Sequence, residues 1–589
     1  MIRPIRFGAG WLVLSVVLTT WQIGCDYSRS RNAALPSTPV LKPRQSPAIS
    51  VRTKAEPTKT LRDPAERAAI LKSSIELIQR AALQPGGDNF GLATQKLNQY
   101  FEGIPSSEYQ LESATKAYID SQVPPGTLGN RVLAAELENP KWTNRDARHL
   151  EDCMLYSAIA GRIAGTGDDL TRVGRVFDWV TRQIQLVPAG SLGTRQLPHV
   201  PSRPYDVLLR GVATESEGYW AERSWLFISL CRQLGIDVGI LTYTKGNVVE
   251  PLVAPTPAQG EAAAGVLKPA RPARIAIPWV CAALIEGKAY LFDPRIGWPI
   301  YASDGKTVAT LDQAMADPAI LERMNLPGQS PYGTSRASLL SSATRIGVLI
   351  DSSPGYFSPR MRLLQRELSG KNRTILHRDP VEQRDHFAQV LKDHCGEVRL
   401  WGLPLDVESR LFGDSQFVQS TQQTLFLFRP EFPLVFARIK QLRGDLDAAV
   451  QEFVSFRLAE NVPVVGNKKQ TIPREIQRGL DIYATLYLAM AHLERDRPEQ
   501  AENMFLRLLE MLPEPGANQP YLFMFRWGAH TNLGRIYEAR GDRRAAIAQY
   551  AQADATMQHH GNLLRARDLV WDDPMARPPD PLPEAPKTL

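Results

Sequence analysis

Cysteine is scarce in this 589-residue chain, which has only Cys25, Cys153, Cys231, Cys281 and Cys395. The last four are too sparse for a disulfide framework, and none has a CxxC or metal-like spacing. In settings such as SLCRQL and WVCAAL they read as small buried side chains. Long apolar runs are scarcer still. Only the stretch from Phe7 to about Thr20 could enter a bilayer, which excludes a polytopic membrane protein. There is no phosphate-binding glycine loop, HExxH, GxSxG or dinucleotide fingerprint, so no cofactor is expected. His377, Asp379, Asp385, His386 and His394 cluster in sequence but fit no metal signature, and no metal site is expected; they read as a polar helix face. His559-His560 reads as exposed. An excess of one charge is also lacking in the body. The net charge is +7, but residues 1–62 alone carry ten Lys/Arg against Asp26 and Glu56, leaving the other 527 residues near −1. That argues against a nucleic-acid partner. With 43% hydrophobic and 22% charged residues, the chain is neither disordered throughout nor a fibrous rod, and its length suggests about three domains.

What is there begins with an export signal. Arg3 and Arg6 precede the apolar run, and Gly24-Cys25 follows. A Cys directly after Gly resembles the bacterial lipoprotein signal, in which that residue, here Cys25, is acylated. An uncleaved anchor over Phe7–Gly24 and simple secretion are the alternatives. Each places the body outside the cytoplasm, and the first two hold it at a membrane. The expected segments are a signal (1–24), a basic, Pro-rich tether (25–62), a helical region (63–150), a mixed domain (151–310), an α+β segment (311–425), a helical array (426–572) and a Pro-rich tail (573–589).

Within the mixed domain, GYWAERSWLFISLCRQLGIDVGILTYT predicts a helix over 221–234, stopped by Gly235, and a strand over Val238–Tyr243. IPWVCAALIE and KAYLFDP predict two strands joined at Gly287-Lys288. Further on, IGVLID (346–351) and RTILHR (373–378) read as strands and SPRMRLLQREL (358–368) as a helix. From Phe432 the chain repeats itself. Leu533, Gly534, Tyr537, Gly541, Ala546, Tyr550 and Ala553 fit one 34-residue unit. Leu488, Ala489, Ala501, Phe505, Leu508 and Pro513 fit a second, and Gly444, Ala449 and Phe453 a third. This resembles the tetratricopeptide repeat, in which small residues let paired helices approach and an aromatic fills the gap. Ala449 to Ala501 is 52 residues and Ala501 to Ala546 is 45, so insertions are expected between units.

The segment LCRQLGI (230–236), the Trp of Ile277-Pro278-Trp279 and Phe292-Asp293-Pro294 together resemble the transglutaminase-like superfamily, a papain-type fold. The resemblance covers roughly residues 150–305. In that family a Cys at a helix N-terminus is the nucleophile, a His takes its proton and an Asp orients the His. Position by position, the Cys site here holds Trp220, the His site Ile277, and only Asp293 remains. Cys231 lies about 16 Å along the helix from Trp220, and Cys281 about 13 Å along the strand from Ile277. Neither can substitute.

The expected protein is therefore an α+β chain: a transglutaminase-like (papain-type) core lacking its triad, then an α+β segment and an all-α tetratricopeptide-like array. Trp220 is expected to fill the cleft and Arg223 to form an ion pair with Asp293, while Trp225, Trp279 and Trp298 are expected in the core. The expected function is binding or scaffolding in the cell envelope, through a protein partner on the repeats and a membrane at the N-terminus. An envelope hydrolase or acyl-transferase using other residues, and a purely structural lipoprotein, are the alternatives.

Overall fold

A computed structural model describes residues 63–81, 83, 88–137, 139–188, 201–215, 221–244, 276–329, 331–340, 346–424, 428, 432–458, 462–464, 468–470, 474–512, 523–552 and 555–572. Trp220, Cys25, the signal, the tether and the Pro-rich tail lie outside them. All described residues belong to one compact unit, Leu61–Leu589.

The expected helical region forms α1 (Pro64–Ala81), α2 (Asn89–Tyr100), α3 (Ser113–Gln122) and α4 (Leu128–Leu137). Two longer helices follow, α5 (Asn144–Ala164) and α6 (Asp169–Gln183). Asp168 caps α6 by accepting the Thr171 N–H at 2.7 Å, and the apolar side of that strongly amphipathic helix enters the core through Val173, Val176, Phe177 and Val180. Strand β1 (Gln185–Pro188), α7 (Pro204–Arg210) and β2 (Val212–Glu215) come next, with β1 and β2 paired in parallel.

Helix α8 (Ala221–Gln233) is buried on every side from Ala221 to Arg232, because α5, α6, α7 and the sheet enclose it. Gly235, at φ 79°, turns the chain into β3 (Val238–Thr244). The strands β4 (Ala276–Ile285) and β5 (Lys288–Asp293) form the expected hairpin. Its turn is Glu286-Gly287, both in the left-handed region, rather than Gly287-Lys288; Lys288 already pairs with Ile285. Strand β6 (Trp298–Pro299) completes this side.

The segment 311–425 does not stand apart from this domain. Its strands β7 (Ile346–Asp351) and β8 (Cys395–Trp401) extend the same sheet, whose order is β6-β5-β4-β3-β7-β8, antiparallel except for β7–β8. Helices α5, α6 and α8 cover one face. The other is covered by short helical turns between residues 311 and 340 and by α10 (Pro380–Leu391), which follows α9 (Pro359–Glu367). The predicted strand at 373–378 is irregular. Its backbone groups are bound by side chains: Gln233 brackets Ile375, the Gln365 carbonyl accepts from Leu376 and His377, and His149 meets the Leu376 carbonyl. No ladder is left to form.

After α11 (Gly402–Gly413) and α12 (Ser415–Thr424) come three helical hairpins: α13 (Pro433–Arg443) with α14 (Leu446–Leu458), α15 (Arg474–Glu494) with α16 (Pro498–Met511), and α17 (Phe523–Arg540) with α18 (Arg543–Tyr550). The last helix among the described residues is α19 (Gln558–Asp572). A small ribbon, β9 (Val462–Val464) with β10 (Lys468–Gln470), accounts for the first insertion. Several of the spaced small and aromatic residues pack together. Ala449, Phe453, Ala489, Ala501, Phe505 and Leu508 share one core, and a Cβ at Gly534 would lie 2.5 Å from the Tyr550 ring.

Candidate functional site

Asp293 ends β5 and is fully buried. Arg295, two residues on, folds back across the turn. Its Nε donates to Oδ1 at 3.0 Å, its Nη2 to Oδ2 at 2.7 Å, and its backbone N–H to Oδ1 at 3.0 Å. The Tyr332 hydroxyl donates to Oδ2 at 2.6 Å and itself accepts from Trp279 Nε1 at 3.2 Å. Burial and then the Asp293 carboxylate push the Tyr332 hydroxyl far above its ordinary pKa. Although burial opposes it, Asp293 and Tyr332 raise that of Arg295. The carboxylate is thus paired with a forked guanidinium and capped by a phenol, so that both of its oxygens are bound.

The expected pairing of Asp293 with Arg223 is corrected by this geometry: the cation on Asp293 is Arg295. Arg223, fully buried on α8, instead donates to the Pro294 carbonyl at 3.0 Å, to Gln558 Oε1 at 2.7 Å and to the Ile184 carbonyl. Ile277, opposite Tyr243 at the start of β4, packs against the core. Trp225, Trp279 and Trp298 are buried, as expected of core residues.

The four internal cysteines are buried free thiols. Cys281 sits across the ladder from Phe292, one residue from Asp293, yet burial raises its thiol well above the ordinary range. One contact escaped the sequence reading. Cys153 Sγ lies 3.5 Å from His149 Nε2 and 3.4 Å from the Tyr356 hydroxyl. The spacing of four on α5 could have signalled it. Burial raises the Cys153 thiol and lowers His149 to about 4, the opposite of what a thiolate–imidazolium pair requires.

Helix α19 covers the turn after Asp293. Gln558 Nε2 donates to the Ile296 carbonyl at 3.0 Å, and His560 Nε2 lies 2.7 Å from the Met324 carbonyl. Gly297, at φ 63°, leaves room for Gln558, and a Cβ on Gly561 would collide with the Ile296 carbonyl. The expectation that His559-His560 is exposed is overturned: His559 is 6% exposed and His560 half-buried, because this end of α19 is pressed into the body. No family model, curated protein or solved structure matches the chain.

The residues from His377 to His394 do not converge. Asp379 caps α10, His386 Nδ1 meets Asp237 at 2.8 Å and His394 lies 4.0 Å from Asp312. Asp237 also accepts both ends of the Arg378 fork and the Gln383 amide.

The first helix of each hairpin lies on the body of the same chain. Arg438 of α13 donates to the Leu208 carbonyl at 3.1 Å, Tyr487 of α15 to the Leu209 carbonyl at 2.7 Å, and Asn532 of α17 to the Arg182 carbonyl at 3.3 Å. Gly528 of α17 abuts the Gln185 side chain and Gly211 abuts Tyr487. These faces are occupied in cis. Among the described residues no helix is long and apolar enough to cross a membrane.

Proposed function

We propose that this is a non-catalytic binding module of the cell envelope, with a transglutaminase-like core that has lost its nucleophile and base and a tetratricopeptide-like array folded against it. The order helix, strand, antiparallel hairpin ending in Phe292-Asp293-Pro294, and the close small-residue contacts of the hairpins, support the two resemblances. The sequence before Asp63 supports export and tethering through Cys25 or an uncleaved anchor.

The observation that carries the non-catalytic reading is Asp293, whose carboxylate is bound on both oxygens by Arg295 and Tyr332. Ile277, at the position where the family carries its base, packs against the core, and the thiol nearest Asp293 among the described residues, Cys281, is buried. Because the first helices of the hairpins serve the body, partner binding falls to the surfaces and grooves that this contact leaves open.

Thiol accessibility tests the reading. The native chain is treated with iodoacetamide at neutral pH, and each cysteine is followed by peptide mass spectrometry. Cys153, Cys231, Cys281 and Cys395 stay unlabelled until urea is added. Rapid stoichiometric labelling of any one of them in the native protein would establish a reactive thiol and defeat the proposal.

A further inference from the structure

A groove of about 500 Å³ opens where α6 passes the C-terminal end of α15, within the roughly 300–1,000 Å³ of ligand sites. It is lined by Trp179 and Leu493, with Gly174, Arg175 and Arg182 along one wall. Two features of this wall are unexplained by the fold alone. Trp179 is 6% exposed, and its indole N–H has no acceptor among the described residues. A buried donor without a partner is costly and marks a place where an acceptor is absent.

Gly174 is the second. It lies in the middle of α6, where glycine weakens a helix relative to alanine. No neighbour requires it: a Cβ there would meet nothing within 4 Å. What the missing side chain keeps clear is the groove.

The charge of the groove is also unbalanced. Asp178 is a single carboxylate facing Arg182 at 2.7 Å and Arg535, with Arg565 at 4.0 Å held more closely by Glu538 at 3.3 Å. Against the burial that would raise it, Arg535, Arg182 and Arg565 pull its pKa below the ordinary value. Burial and Arg565 push Arg535 down to about 10. Arg175 donates to the carbonyls of Ala164 and Thr166, and no carboxylate of the described residues lies within ion-pair distance of it. Glu494, at the far wall, is taken up by Arg162, Gln183 and Gln441. The lining thus holds two arginines and two carboxylates, and the buried Arg535 beside Asp178 tips the local balance to positive beside an apolar floor.

We propose that this groove binds an extended acidic segment of a partner protein, an apolar side chain resting on Trp179 and Leu493 and carboxylates meeting Arg175 and Arg182. An extended backbone supplies carbonyl acceptors for the Trp179 indole, acidic side chains correct the charge, and the width left by Gly174 admits the chain. This names the partner class of the binding module proposed above and rests on that reading.

The probe is a fluorescein-labelled octapeptide alternating glutamate and leucine, titrated by anisotropy against the full chain at low salt. Its control has glutamine in place of glutamate. The acidic peptide binds at least tenfold more tightly than the control, and its affinity falls as salt rises. Gly174→Phe fills the groove and weakens binding at least tenfold with Tm unchanged or raised. Gly174→Ala raises Tm and keeps binding, and Arg175→Glu removes the preference for glutamate while its fold, followed by circular dichroism, persists. Absence of binding by the native chain, equal binding of the two peptides, or native affinity in Gly174→Phe each overturns the proposal. None of these bears on the alkylation result, so the groove can fail while the non-catalytic reading stands, and the reverse.

Discussion

Gln558 Oε1 accepts a hydrogen bond from Arg223 Nη1 at 2.7 Å, joining the first turn of α19 to the first turn of α8 across 335 residues of sequence. The same carboxamide reaches the Ile296 carbonyl. One side chain thus ties the last helix both to the central helix and to the turn that carries Asp293.

That tie depends on close backbone approach, and glycine substitutions grade it. Gly561→Ala places a methyl group against the Ile296 carbonyl, a backbone atom that cannot step aside. It is expected to lower stability by about 3 kcal/mol, as overpacking does, and to speed hydrogen exchange in residues 293–299 and 558–572. Gly528→Ala meets only the Gln185 side chain and costs less. Equal losses in urea unfolding would contradict the clamp.

Asp293→Asn leaves the Arg295 fork in a nearly closed site without its carboxylate. Removing one partner of a buried pair costs roughly 3–5 kcal/mol, and equilibrium urea unfolding reads it. A variant as stable as the parent would mean that the pair does not hold the turn.

Arg438 is completely buried and serves Leu208, Gln183 and Gln441. Arg438→Ala strands those acceptors at an expected cost of about 3 kcal/mol, since each buried unsatisfied group is worth roughly 1–3. The hairpins should loosen from α7 before the sheet unfolds, so limited proteolysis is expected to cut between residues 413 and 433 at protease levels the parent resists.

Stability should peak between the titrations of two sets of groups. Burial lowers His149, His377 and His559 to about 4, so these imidazoles are neutral in the folded chain. In the unfolded chain they take up protons near pH 6.5. The stability they contribute is complete above that pH and lost as pH falls toward 4. Glu151 runs the other way: burial raises it to about 7, so its contribution is full below the ordinary carboxylate range and is lost as pH rises through 7. Tm measured from pH 4.5 to 8.5 should show both arms, and Glu151→Gln should reduce the upper one, to which Asp152, raised by burial to about 8, also contributes.

Much of the architecture is written locally, and the exceptions have physical causes. The α8–Gly235–β3 unit was readable because a period near 3.6 gives way to alternation at a residue able to adopt positive φ. The hairpin helices were readable because small and aromatic positions recur. RTILHR looks like a strand in isolation; only the distant Gln233 and Gln365 decide otherwise. Strand β8 and its parallel seat beside β7 depend on the connection through α9 and α10, which no local pattern encodes. At the candidate site, Asp293 stands out in the sequence through the Phe292-Asp293-Pro294 motif. Arg295 was missed although it stands two residues from Asp293, because its reach depends on the turn at Gly297. The burial of His559 and His560 was invisible, since it requires the end of the chain to meet its middle.

That last meeting has a consequence for how the molecule is made. Gln558 follows Ile296 by 262 residues, so the carbonyls of Ile296 and Met324 wait for their partners until α19 has been synthesised. A product interrupted before residue 555 would contain every strand of the sheet and still leave this seam open to water and proteases. Synthesis of α19 is thereby coupled to closure of the seam beside the sheet.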